Sequence, residues 1–315
     1  MTSAPPPAPQ DPAAIPAAAG SGYDPAFLGV PVPLPAAAGR PTRVLPSTHF
    51  SVVMDLQRRL AAVTAVNIDG AALRDLDRAG IDWELDPRLP ADQQAGPELY
   101  RDNDLDRGHL VRRRDPVWGG AAEAARANAE TFRYTNAAPQ AADFNQGKEL
   151  WLGLEDQLLG TAESGGRRLS VFTGPVLAPA DPLYRGIRIP LRFFKVAVVA
   201  VDTVDGADTV DTADTVAPSP GVTVAGLASA GYLLDQSELV DLAEPGSVRS
   251  RADGPPLGAY RTFQVPVADI AALTGLDFGA LSEVDVLAPV GAGVREVDPS
   301  RWVPLTGPQD VILPG

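Results

Sequence analysis

The sequence predicts an α+β fold: a mixed, mostly antiparallel sheet with flanking helices, built as one domain with ragged ends. Two observations carry that prediction. Apolar, β-branched runs of strand length recur along the chain between Gly/Pro turns. Windows of helical composition, rich in Ala, Leu, Glu and Arg, fall between groups of those runs rather than after every one. At 315 residues the chain can bury a sizeable core.

Residues 1–22 are Pro/Ala-rich, offer no packing face and read as a disordered, partly polyproline tail. The domain itself is expected over 23–290. YDPAFLGVPVPLP, from Tyr23, mixes aromatics with prolines and is expected to lie extended on the surface. HFSVVMDLQ from His49 and AAVTAVNID from Ala61 read as paired strands, with His49 a core or edge histidine. AALRDLDRAG reads as a short helix or turn, and IDWELDPRLP as a proline-bounded loop. Composition favours helix over 121–131 and again over 141–160, the second ending at Gly160. RRLSVFTGPVLAP, IRIPLRFFKVAVVAV and GVTVAGLASAGYLL follow as strands, with Lys195 unassigned among apolar neighbours. An imperfect Asp-Thr-Val repeat at 202–216 reads as an inserted, solvated acidic loop. VADIAALTGLDFGAL gives a late helix turning at Gly275, and 291–315 is expected to be an extended C-terminal tail.

The chain has no cysteine, which excludes disulfides, thiolate metal sites and a cysteine nucleophile. No apolar stretch is long enough for a membrane helix, and the N-terminal residues lack the charged and apolar regions of a signal peptide. A cytoplasmic or non-classically exported protein without a membrane partner is therefore expected. The arginine-dominated, Ala/Pro-rich composition points to a GC-rich bacterial genome. Net charge is −14, yet the acidity is segregated: nine acids and no base lie between 201 and 245, while Arg112, Arg113 and Arg114 stand together. Such a local cluster still draws a polyanion, because potential is set by charges within a Debye length, ~8 Å at physiological salt. GLASAG and PVGAGV lack the spacing of nucleotide-binding loops, and no GxSxG places a serine nucleophile.

His109, one of two histidines, ends the tetrad Asp-Arg-Gly-His at 106–109. Downstream come Asn136 and Gln140 in NAAPQ, Asn145 in FNQG, and Trp151 and Glu155 in WLGLE. The ordered set resembles the DNA/RNA non-specific endonucleases, the ββα-metal (His-Me finger) group of Serratia-type and endonuclease G-like nucleases, over roughly Tyr23 to Val286. Trp151 follows Asn145 by six residues, a longer spacing than the family's. On one straight helix Asn145 and Glu155 would stand ~15 Å apart along the axis. Asn145 is therefore expected on a nonhelical lead-in, aided by Gly147. The 202–216 insert has no counterpart in the family pattern.

The resemblance implies Mg²⁺-dependent hydrolysis of phosphodiester bonds in DNA and RNA, leaving 5′-phosphates. A neutral imidazole with a pKa near 6.5 suits the general base, here His109. With no thiolate available the metal would be hard and oxygen-ligated, Mg²⁺ with Mn²⁺ able to substitute, and Asn145 its direct ligand. The resemblance further assigns Glu155 to a metal-bound water, and Arg107 and Asn136 to phosphate. Arg112 and Gln140 complete the expected substrate contacts. Trp151 reads as core rather than as a base-stacking platform. An inhibitor protein is a possible partner. The alternatives are a catalytically silent nucleic-acid- or partner-binding module on the same scaffold, and a phosphodiesterase for a smaller substrate.

Overall fold

The computed structural model describes residues 21–141, 151–204, 223–240, 261–287, 297–307 and 310–314. Its frame is one eight-stranded sheet in the order β1-β2-β3-β6-β9-β10-β11-β12, every neighbouring pair antiparallel. The strands are β1 (Thr42–Ser47), β2 (Phe50–Asp55), β3 (Leu60–Asp69), β6 (Arg168–Pro175), β9 (Arg192–Val204), β10 (Thr223–Asp235), β11 (Arg261–Val265) and β12 (Val303–Pro304). Two small ribbons accompany it, β4 (Leu105–His109) with β5 (Ala137–Ala141), and β7 (Leu183–Tyr184) with β8 (Ile187–Arg188). Four α-helices are described: α1 (Pro97–Tyr100), α2 (Ala121–Glu130), α3 (Trp151–Gly165) and α4 (Val267–Thr274).

The central strands are continuous apolar runs because both faces of the sheet are covered. Strand periodicity sends Leu169, Val171, Phe193 and Ala197 to one face, where they meet Leu154 and Leu158 of α3 and Leu110 and Val111 after β4. Phe172, Phe194, Val196 and Val198 fill the other face with Val267 and Ile270 of α4. The β4–β5 ribbon and α3 thus lie on one side of the sheet as a ββα unit. Gly70, just after β3, lets α3 approach: a Cβ there would stand 2.0 Å from the Ala162 carbonyl oxygen.

Residues 42–47, unassigned from sequence, form an edge strand, β1. The following expectations change. Helix α3 runs through Gly160 to Gly165 and ends at Gly166, whose φ of 58° is left-handed. The stretch expected as a C-terminal tail contributes β12, and Trp302 packs against the second core. The strands expected in the runs from His49, Ala61, Arg167 and Ile187, the helix at 121–131 and the late helix turning at Gly275 match β2, β3, β6, β9, α2 and α4. The acidic loop expected over 202–216 starts later than that, because 202–204 continue β9 in register with β10; residues 205–216 lie outside the described residues.

Candidate active site

The β4–β5 ribbon pairs His109 with Ala137, Arg107 with Pro139 and Asp106 with Gln140. Side chains alternate along a strand, so Arg107 and His109 share one face while Asp106, Gly108 and Gln140 share the other. The Gln140 side chain folds across Gly108, where a Cβ would stand 2.0 Å from its Oε1. Glycine at 108 is therefore a close-approach requirement. Beyond the strand, Leu110 N–H donates to the Asn136 carbonyl at 2.9 Å and Val111 N–H to Asn136 Oδ1 at 2.9 Å. The Asn136 amide donates back to the Val111 and Thr131 carbonyls, both at 3.0 Å. This clamp holds the backbone immediately after His109.

The histidine ring lies 4.6 Å from the centre of Trp83 and meets Phe132 edge-on at 5.0 Å. Its Nε2 is sealed from solvent and has no hydrogen-bond partner among the described residues. The Arg107 guanidinium stands 5.9 Å from the Trp83 ring centre, and Arg78 lies 5.6 Å over Phe132. Burial, followed by the charges of Arg78, Arg113 and Arg107, pushes the His109 pKa down to about 3. The imidazole is neutral at physiological pH, in a field prepared for an anion. Arg107 and Arg78 are exposed and make no ion pair among the described residues.

On the α3 side, Glu155 is buried, with Oε1 3.3 Å from Lys195 Nζ and Oε2 3.7 Å from Arg112 Nε. Arg112 also pairs with Asp156. Asp115, buried beside them, has its pKa raised to about 7 by burial, against the pull of Lys195 and Arg112. No group of three or more His, Cys, Asp or Glu suited to a metal ion occurs among the described residues. Lys195 and Arg112 each engage one oxygen of Glu155, and a carboxylate, with about four acceptor sites, keeps others that suit a cation's water. The expected direct ligand, Asn145, lies outside the described residues, as does the expected lead-in around Gly147.

The expected residues thus divide. His109 and Arg107 lie together on one face, and Arg112 and Glu155 together at α3. Asn136 is fully buried, its amide donated to backbone carbonyls. Gln140 is buried on the face opposite His109, and Arg112 pairs with acids of α3. His49 is structural, stacked on Trp118 at 3.4 Å and bonded to the Pro116 carbonyl and Glu123. Sequence reasoning missed Arg78, Trp83 and Asp115. A lone tryptophan in a charged loop was the available signal for Trp83; nothing distinguished Arg78 among the alternating charges of its segment.

The profile of the DNA/RNA non-specific endonuclease family matches residues 36–285. A relative from Sinorhizobium fredii (strain NBRC 101917 / NGR234), named Uncharacterized protein y4fB, is 39% identical over 282 residues, covering 82% of this chain. The chain spans only 38% of that relative's length. A solved structure of EndoG bound to EndoGI, described as showing the mechanism of EndoG inhibition, superposes with a TM-score of 0.52 at 20% identity, covering 82% of this chain and 94% of that one. The α+β sheet architecture is shared with that structure. No helix among the described residues is long and apolar enough to cross a membrane.

Proposed function

Because this chain belongs to the DNA/RNA non-specific endonuclease family, we propose that it hydrolyses phosphodiester bonds of DNA and RNA with His109 as general base. One observation supports this above the others: a neutral imidazole beside Arg107 on one ribbon face, within the field of three arginines. Arg107 and Arg78 would take phosphate oxygens, the planar guanidinium fork matching their geometry. The phosphate's negative charge would offset the arginines and raise the histidine's proton affinity as the substrate docks, improving a base that is weak when free. His109 then removes a proton from the attacking water. Contacts made to phosphate rather than to base edges explain why DNA and RNA would both be cleaved.

A hydrated Mg²⁺, or Mn²⁺ in its place, would neutralise charge on the scissile phosphate, with Asn145 holding it directly and Glu155 through a water. Asn136 serves the site by clamping Leu110 and Val111 behind His109. Products would carry 5′-phosphates, and an inhibitor protein that occludes the arginine-lined face is the class of partner that suits this reading. Plasmid nicking with and without Mg²⁺, repeated on His109→Ala, tests it. Cleavage that needs metal and is lost in the variant is expected. Metal-dependent cleavage that survives His109→Ala would overturn the assigned base, and salt-sensitive DNA binding without product would favour the silent module.

A further inference from the structure

Lys195 stands in β9 between Phe194 and Val196, with 1% of its side chain exposed. Strand alternation puts it with Phe193 and Ala197 on the face that packs against α3. Its register partner is Thr173 of β6, whose hydroxyl accepts from Nζ at 3.0 Å. The ammonium also reaches Glu155 Oε1 at 3.3 Å, while Arg112 faces the other carboxylate oxygen. Glu155 is thus held between cations from two elements, the strand below it and the loop after β4.

Stability alone does not call for this arrangement. Desolvating a buried ion pair costs several kcal/mol, and well-packed apolar replacements are often neutral or stabilising. What an apolar core could not supply is a carboxylate of fixed charge and orientation. We propose that Lys195 is a positioning residue for the reaction, fixing the Glu155 carboxylate so that it presents an accepting lone pair to the water of a hydrated divalent cation. The proposal rests on the role given to Glu155 above. Thr173 sets the direction of the ammonium, and the neighbouring Asp115 helps offset its charge.

Lys195→Met, Lys195→Arg and Glu155→Gln, singly and as Lys/Glu double variants, test this with three readouts: kcat and KM on DNA, Mn²⁺ affinity by electron paramagnetic resonance on substrate-free protein, and Tm. Lys195→Met is expected to lower kcat and Mn²⁺ affinity ~10–100-fold, with KM for DNA changed less than about threefold. Losses in the double variant should not exceed those of Glu155→Gln alone, since the lysine acts through that carboxylate. Lys195→Arg keeps the charge and carries the same cycle if the methionine variant does not fold; a smaller loss, equally non-additive, is expected. Losses that multiply in the double variants, or a lower Tm with kcat and Mn²⁺ affinity intact, would overturn the proposal. A wild-type protein that neither cleaves nor binds Mn²⁺ would instead overturn the functional reading itself.

Discussion

Replacing Trp83 by Ala should return much of the proton affinity that His109 loses in the folded protein. The histidine's pKa falls from 6.5 to about 3, a drop of about 3.5 units, worth ~5 kcal/mol at ~1.4 kcal/mol per unit. Burial is the largest cause, ahead of Arg78, Arg113 and Arg107. Trp83, at 4.6 Å, covers one side of the imidazole, and Phe132 meets it edge-on. Opening one side should raise the pKa by ~1–2 units and leave the arginine contribution in place. The assay is a pH titration of the histidine Cε1–Hε1 NMR signals, assigned with His49→Asn and His109→Asn. Arg107→Gln should move the same resonance upward by a smaller amount, because it removes charge rather than cover. A wild-type His109 that titrates near 6.5, or one that Trp83→Ala leaves unmoved, would refute the account of why this imidazole is neutral.

Two groups near the site should tie stability to pH with opposite signs. His109 is depressed when folded, so the unfolded chain binds more protons between about pH 6.5 and 3, and stability falls as pH drops through that window. Asp115 is raised to about 7, so the folded chain binds more protons between 7 and about 3.8, and stability rises as pH drops. His109→Asn should therefore unmask an acid-stabilised profile in urea denaturation, and Asp115→Asn the reverse. Gly108→Ala should cost ~1–3 kcal/mol by driving a methyl into the buried Gln140 side chain, read from the same urea midpoints. Asn136→Ala strands the Val111 N–H and two carbonyls, and should cost ~1–3 kcal/mol in stability while slowing cleavage; an unchanged midpoint would contradict the clamp. Arg107→Ala should weaken DNA binding and make its logarithmic salt slope shallower by ~1, as expected for one lost phosphate contact.

Much of the frame was legible in local chemistry. The β-branched runs around Val52, Val63 and Val196 could only be strands, and Gly275 announced the end of α4 with its left-handed φ of 66°. Less legible was α3, since Gly160 looked like a terminus. Nothing contacts the space a Cβ would occupy there, so the helix tolerates glycine and continues to the Gly165–Gly166 pair. The two-residue β12 carries too little pattern to register as a strand; it forms because β11 offers an edge.

For the site, the order Asp-Arg-Gly-His, Asn-Ala-Ala-Pro-Gln and Trp-Leu-Gly-Leu-Glu identified the family and nominated His109, because motif spacing is written in one dimension. Which nominated side chains face one another is a question of strand parity and register, set by pairing between distant segments. Register turned Gln140 away from His109 and brought Lys195 beneath Glu155, while Asn136 was consumed by backbone groups it had no sequence reason to meet. Residue type, then, determined the available chemistry, and only the packed sheet decided direction, burial and proton affinity, since those depend on neighbours that chain order does not name.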